Sequence, residues 1–318
     1  MKKICFIGGK GAGDGFVDRV CGPQRLPLEL SKRLPDCKIT FVSFQQGYVL
    51  ESLRKIQKAD ILHGHGSLNM CLLLFFLKKI FCKKTILTFT DFKRNVTRNY
   101  KLLNHLDAIV VLSQFAKKKL EYHGVNPAKI KVIPYGVEDS FYGAKNNKRI
   151  RKLGNKLVLY YGDARYERGF HILLKSIRYI PEGITLLICV RKFLRGFNPR
   201  LLNFKKKNVH FLQVRDYPCS IQDIIKSSDI VVLPFVHNTL EPPLSLMEVS
   251  AVGTPMITTD IGGNKEVVAD GTILLHECTP EKLAEAITKH FSKKLKITKR
   301  KIYSWDESLS KFEKLYSG

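Results

Sequence analysis

Much that would assign this chain to a simple class is missing from it. No apolar run approaches the roughly 20 residues needed to cross a bilayer; Cys71-Leu-Leu-Leu-Phe-Phe-Leu77 stops at seven. Eight cysteines are scattered over 318 residues without a single Cys-x-x-Cys pair. That excludes a disulfide scaffold and a structural zinc site and points to free thiols in a reducing compartment. Histidines seldom cluster: only His63 and His65 are closely spaced, and the pair reads as strand-end residues, not metal ligands. Residues 1–20 contain an early Lys pair but also five glycines and two aspartates, unlike a secretory signal. Internal repeats and low-complexity tracts are absent too. The expectation is a soluble, cytoplasmic protein.

Acidic residues are scarce, and the positive charge is correspondingly large. Lys and Arg number 54 against 28 Asp and Glu, a formal charge of +26. Positions 1–150 hold 27 basic and 11 acidic residues; the remainder holds 27 and 17. Such a field favours anionic partners: nucleic acid, phospholipid headgroups or phosphorylated small molecules. Much of it lies in short clusters such as Lys117-Lys118-Lys119 and Lys205-Lys206-Lys207, where a solvated helix face is the default. Hydrophobic residues at 44% and charged residues at 26% are globular values, and at this length two domains are the natural division.

Short apolar segments alternate with helical patterns along most of the chain. Segments 3–8, 39–44, 60–63, 85–88, 108–112 and 131–136 have strand character, with a helix over 27–34. The pattern restarts at 156–162 and continues at 185–190, 209–212, 229–233, 255–258 and 271–275. Near-continuous apolar strands separated by helices imply parallel sheets covered on both faces. The stretch 141–153 is polar, basic and without period, as a linker should be. The expected architecture is α/β, with two Rossmann-like, doubly wound domains over residues 1–143 and 144–300 and a terminal segment over 301–318. The domains would face each other across a cleft, and ligands in such sheets bind at the carboxyl ends of strands.

The densest chemistry lies between residues 229 and 266. A strand runs into a loop, and Pro242-Pro243 suit the first turn of a helix, where a missing N–H costs nothing. The helix Leu244-Ser-Leu-Met-Glu-Val-Ser-Ala-Val252 stops at Gly253, and Pro255 opens the next strand. A helix amino terminus at the carboxyl end of a parallel strand offers free N–H groups and a partial positive charge to an anion. Glu241 stands at its mouth and Glu248 one to two turns inside, where a buried carboxylate demands a partner. Phosphate on the amides and carboxylates on neighbouring hydroxyls describe a nucleotide-sugar.

The run from Glu241-Pro-Pro-Leu-Ser-Leu-Met-Glu248 through Gly253-Thr-Pro255 to Gly262-Gly-Asn-Lys-Glu266 resembles the donor-binding core of glycosyltransferase family 4, the retaining group 1 transferases of the GT-B fold. The resemblance spans nearly the whole chain. Its further landmarks are the segment beginning Cys21-Gly22-Pro23, Asp60-Ile-Leu-His-Gly-His-Gly66, Ile133-Pro-Tyr-Gly-Val137 and Gly162-Asp-Ala-Arg-Tyr-Glu-Arg-Gly169. Trp305 to Tyr316 resembles the family's terminal helix, which packs back toward the first domain. By that resemblance, Glu248 holds the donor ribose and Arg168 neutralises the diphosphate. Gly162, Leu244, Ser245 and Gly22 belong to the same donor set. The chain departs from the pattern at four places. The first motif glutamate falls on Leu240, with Glu241 the nearest carboxylate. Asp163 replaces an arginine, leaving Arg165 to serve instead. Thr90, followed by Asp91, replaces a histidine near the reacting sugar, and Cys21 stands where a second glycine is common. Glu241, Thr90 and Asp91 are therefore the catalytic candidates.

The activity implied is retaining transfer of a sugar from a nucleoside diphosphate sugar to an acceptor hydroxyl of a glycan or lipid-linked sugar. No cofactor or metal is expected, since no Asp-x-Asp segment is present and arginines with helix amides suffice for the diphosphate. Two other readings stand beside it: an epimerase of the same fold, and an inactive relative that binds a partner or nucleic acid, although nucleic acid is not the expected ligand. Residues 70–84 join an apolar run to Lys78, Lys79, Lys83 and Lys84, with Lys93, Arg94, Arg98 and Lys101 soon after. They suit either peripheral contact with an anionic membrane or a core helix whose lysines alone reach solvent.

Overall fold

The computed structural model describes residues 1–8, 22–34, 36–42, 49–90, 99–193, 207–213, 216–237, 241–292 and 302–318. The chain forms two compact units. The first comprises Met1–Gly136, Thr239–Glu241 and Tyr303–Gly318; the second comprises Val137–Asn238 and Pro242–Ile302.

In the first unit, strands β1 (Lys2–Ile7), β2 (Cys37–Val42), β3 (Ile61–Gly66), β4 (Lys84–Phe89), β5 (Ala108–Val111) and β6 (Ile130–Val132) alternate with helices α1 (Gly22–Arg33), α2 (Val49–Lys58), α3 (Leu68–Phe81) and α4 (Gln114–Tyr122). The strands form one parallel sheet in the order β2-β1-β3-β4-β5-β6. Successive side chains of β1 serve opposite faces. Cys5 and Ile7 join Ile56, Leu74, Leu87 and Leu120 in one hydrophobic cluster. On the other face, Phe6 meets the ring of His63 at 4.8 Å.

The second unit begins with two short helices, α5 (Asp139–Tyr142) and α6 (Lys148–Arg151). This stretch is therefore not the aperiodic linker that its polarity implies. Phe141 and Ile150 are buried in the second unit's hydrophobic core, and Asn147 caps α6 by accepting from the N–H groups of Arg149 and Ile150. Arg151 pairs with Asp229 at 3.0 Å. Two buried apolar side chains among thirteen residues, with Ala144 and Leu153 only partly buried against the same core, are too few to show as periodicity.

There follow β7 (Leu157–Ala164), α7 (Phe170–Ser176), β8 (Thr185–Phe193), β9 (Val209–Gln213), α8 (Ile221–Ser227), β10 (Ile230–Leu233), α9 (Leu244–Val252), β11 (Met256–Thr259), β12 (Ile273–Leu275) and α10 (Pro280–Ser292). The sheet is parallel, ordered β12-β11-β10-β7-β8-β9. Its order reverses between β7 and β10, the switch point at which doubly wound sheets bind ligands.

The last helix, α11 (Trp305–Ser317), belongs to the first unit. Ser304 and Glu307 close its amino terminus in a reciprocal capping box. Gly136 is required here: a Cβ on it would lie 2.3 Å from the Trp305 backbone nitrogen. Trp305 packs on Tyr135 with ring centroids 5.8 Å apart, while Phe312 and Tyr316 cover His63. β3 runs from Ile61 to Gly66, so His63 lies mid-strand and His65 one residue from its end. His63 is hydrogen-bonded to Tyr316 Oη at 2.6 Å and Thr88 Oγ1 at 2.8 Å, and His65 to Tyr135 Oη at 2.7 Å.

Candidate functional site

The site grows from the carboxyl end of β7. Its last residues bend away at Gly162, whose φ of +133° is open to glycine and strained for other residues. The register with β8 shifts between Gly162 and Ala164, and a short turn, Tyr166–Arg168, carries the chain to Gly169. Gly169 has φ +67°, and a Cβ there would fall 1.7 Å from the Pro234 carbonyl oxygen. Only glycine lets the loop after β7 press so closely on the loop after β10. The Val236 N–H donates to the Glu167 carbonyl at 3.1 Å and ties the two loops together.

This docking places Arg168. Its guanidinium carbon sits 5.4 Å from the centre of the Phe235 ring, within cation–π range. Its Nη1 is so close to Gly162 that a Cβ there would approach to 2.5 Å. That Nη1 is buried and has no hydrogen-bond partner among the described residues. An unsatisfied buried donor on a charged group is costly in isolation, and an anionic ligand would satisfy it.

Arg165 is engaged differently. Asp163 is almost wholly buried, and its carboxylate accepts from Arg165 Nη2 at 2.7 Å and from Arg191 Nε at 2.8 Å and Nη2 at 3.0 Å. Burial alone would raise this carboxyl; hydrogen bonds and charge from Arg191 and Arg165, with the charge of Arg168, pull it down to about 2. The acid at the expected arginine position thus gathers two guanidiniums, and Arg165 is committed to it. Sequence reasoning missed Arg191. The one signal was an arginine directly after the apolar strand 185–190.

α9 supplies the other half of the site within this unit. Pro243 precedes it without a side-chain cap, and Gly253, at φ +74°, ends it. Ser245, in its first turn, is buried with an Oγ that has no partner among the described residues. Glu248 is half-buried one turn on. Its Oε2 accepts from the Tyr161 hydroxyl at 3.0 Å, and the Ser245 carbonyl accepts from the same hydroxyl at 2.8 Å. One hydroxyl proton is shared between two acceptors, so Tyr161 ties the Glu248 carboxylate to the first turn of α9. Burial, then the neighbouring Glu248 charge, pushes the Tyr161 phenol well above its ordinary range. Tyr161 was also missed, because a tyrosine inside an apolar strand reads as core.

The remaining candidates lie elsewhere. Leu244 opens α9 half-buried. Gly22 is the first residue of α1, and Cys21 lies outside the described residues. Thr90 follows β4 in the first unit, half-buried, its N–H donating to the Gly66 carbonyl at 3.1 Å. Glu241 is half-buried and groups with the first unit. Asp91 and Leu240 lie outside the described residues. The structure therefore brings Gly162, Arg168, Ser245 and Glu248 together around Tyr161 at the switch point of one sheet, and turns Arg165 to Asp163 instead.

The family model described as "Glycosyl transferases group 1" matches residues 144–304, which is half of the chain, and "Glycosyltransferase Family 4" matches residues 18–141. The chain belongs to the group 1 glycosyl transferases. Among relatives of this group 1 chain, a phosphatidylinositol N-acetylglucosaminyltransferase subunit of Arabidopsis thaliana is 21% identical over 84% of this chain and 64% of its own. A D-inositol 3-phosphate glycosyltransferase of Corynebacterium glutamicum is 24% identical over 59% and 49%. The spore coat protein SA of Bacillus subtilis is 30% identical over 50% and 45%. The group 1 chain thus spans between about half and two thirds of these relatives' lengths. Among solved structures, Anabaena HepE in complex with UDP superposes with a TM-score of 0.79 at 14% identity, covering all of both chains. Sucrose-phosphate synthase from Thermosynechococcus elongatus gives 0.74 at 16%, covering 100% of this chain and 98% of its own. These likenesses establish the GT-B fold.

Proposed function

We propose that this protein is a retaining, metal-independent glycosyltransferase that moves a sugar from a nucleoside diphosphate sugar to an acceptor hydroxyl of a glycan or lipid-linked sugar. The observation that carries the reading is Arg168, whose buried Nη1 has no hydrogen-bond partner among the described residues at the switch point of the second sheet. Family membership supports it, as does the binding of UDP and of UDP-glucose by HepE. The comparisons do not favour the epimerase reading.

In this mechanism the Arg168 guanidinium and the first N–H groups of α9 hold the diphosphate, and the Ser245 hydroxyl donates to it. Negative charge grows on the diphosphate as its bond to the sugar breaks, so these fixed donors stabilise the transition state more than the ground state. Glu248, oriented by Tyr161, accepts from ribose hydroxyls. The acceptor oxygen bonds to the anomeric carbon on the face the diphosphate leaves, and its proton passes to the departing phosphate oxygen. Retention of configuration follows, with no protein nucleophile.

Incubating the full chain with labelled nucleoside diphosphate sugars and no acceptor tests the reading. Slow release of free sugar, lost in Arg168→Ala, is the expected result. Inversion of a sugar hydroxyl without cleavage would make the protein an epimerase, and absence of any donor binding would remove it from this chemistry.

A further inference from the structure

α3 buries Leu68, Cys71, Leu74 and Leu77 on the sheet. Opposite them, Leu72, Phe76 and Ile80 are 40%, 60% and 69% exposed. Residues four apart share one helix face, so the three make a continuous apolar stripe, widened by the Phe75 ring 5.7 Å from that of Phe76. Single exposed apolar residues need no explanation. Here, apart from five tyrosines, the only other large hydrophobics so exposed among the described residues are Met1 and Leu50. The concentration on one helix is specific.

The charge around the stripe is of one sign. α3 carries no acidic residue, and its last turn brings Lys78 and Lys79, with Lys83 and Lys84 just beyond. Lys78 is held by Asp107 at 2.5 Å, and Asp107 is further occupied by the N–H and hydroxyl of Thr85. Lys79 is exposed, its Nζ 5.8 Å from the centre of the Phe75 ring. Lys101 is exposed on the 3-10 turn Tyr100–His105, which packs on α3 through the His105 and Phe75 rings, 4.9 Å apart. No described helix is long and apolar enough to cross a membrane.

We propose that this outer face of α3 docks in the plane of an anionic lipid bilayer, with Leu72, Phe76 and Ile80 entering the acyl boundary and Lys79, Lys83 and Lys101 meeting the headgroups. α3 is apolar on its buried face and on its exposed one. Its outer stripe is thus an exposed apolar patch with a basic rim, which marks an interaction surface, and each lysine near an anionic leaflet adds to the attraction. Charge argues against a second copy as occupant, because two such faces would bring their lysines together with no acid on either helix. Docking concerns the first unit's surface and is independent of the donor reading above.

The test is co-sedimentation of the full chain with vesicles of neutral phosphatidylcholine and of phosphatidylcholine mixed with phosphatidylglycerol, at two salt concentrations. The expected result is pelleting with the anionic vesicles alone, weakened at high salt. Lys79→Gln with Lys83→Gln should lower the partition coefficient by about fivefold per lysine. Leu72→Ser, Phe76→Ser and Ile80→Ser together should abolish pelleting while leaving the circular dichroism spectrum and nucleotide binding unchanged, since these side chains already face solvent. Negligible pelleting with both vesicles overturns the proposal. So does pelleting that the triple-serine variant retains, or sedimentation velocity showing a dimer that this variant dissolves.

Discussion

At the scale of single residues, the second unit's site rests on polar atoms whose partners are incomplete or shared. Arg168 leaves Nη1 buried without a partner among the described residues, so its removal should injure diphosphate binding selectively. A charge-assisted hydrogen bond contributes about 1.5–3 kcal/mol. Arg168→Ala is therefore expected to weaken a nucleoside diphosphate by about 10- to 150-fold while the parent nucleoside binds almost unchanged. Calorimetry with both ligands checks this, and equal losses would move Arg168 away from the phosphates. Glu248 gives a second contrast. In Glu248→Gln the Tyr161 hydroxyl keeps an acceptor, so the fold should survive while donor affinity and turnover fall. In Tyr161→Phe, Glu248 and the Ser245 carbonyl both lose a donor. Stability should then drop by about 1–3 kcal/mol, with donor affinity falling alongside it. Urea melts paired with donor titrations separate the two variants; an equally destabilised Glu248→Gln would mark the glutamate as structural.

Among the elements, α9 and most strands were legible because their determinants are local. Buried parallel strands such as Ile230–Leu233 show as unbroken apolar runs, and α9 is bracketed by Pro243 and Gly253. β3 beyond His63 was not legible, because Gly64 and His65 are selected by partners outside the strand. A Cβ on Gly64 would lie 2.7 Å from Met70 Cγ, and His65 answers Tyr135. Arg191 and Tyr161 escaped notice for the same reason: their meaning depends on Asp163 and Glu248, brought near by folding. The histidines give α11 and its sheet a pH dependence. Burial, then the charge of His65, lowers His63 from 6.5 to about 3, and burial lowers His65 to about 4. Both folded values lie below the unfolded one, so the unfolded chain takes up protons that the folded chain refuses. Stability is intact above pH 6.5 and is lost as pH falls toward 4 and then 3, by about 1.4 kcal/mol per pH unit per histidine. Trp305, the single tryptophan, sits in α11 against Tyr135 and reports this region by fluorescence. Its urea midpoint should fall between pH 7 and pH 5, and His65→Gln should make that fall shallower. A midpoint independent of pH would show that neither histidine is held neutral.

For the whole molecule, two doubly wound sheets could be anticipated from strand–helix alternation over three hundred residues, whereas the nucleotide base and the acceptor could not. The carboxyl-end loops that would choose between bases do so by shape, which no local pattern encodes. Stability offers a way to ask the molecule directly. A ligand that binds only the folded state stabilises it by RT ln(1 + [L]/Kd), about 2.7 kcal/mol at a hundredfold excess over Kd. For domains of 150–250 residues that corresponds to a shift of about 5–10 °C in the melting midpoint. A panel of nucleosides, nucleoside monophosphates and nucleoside diphosphates should therefore show one base whose diphosphate raises the midpoint most. The monophosphate should shift it less and the nucleoside least if, as proposed, only the phosphates reach Arg168 and the amino terminus of α9. Charge neutralisation by arginine and helix amides also requires that the shift persist in excess EDTA. A stabilisation that appears only after a divalent cation is added would overturn metal independence and assign the diphosphate's countercharge to a bound ion.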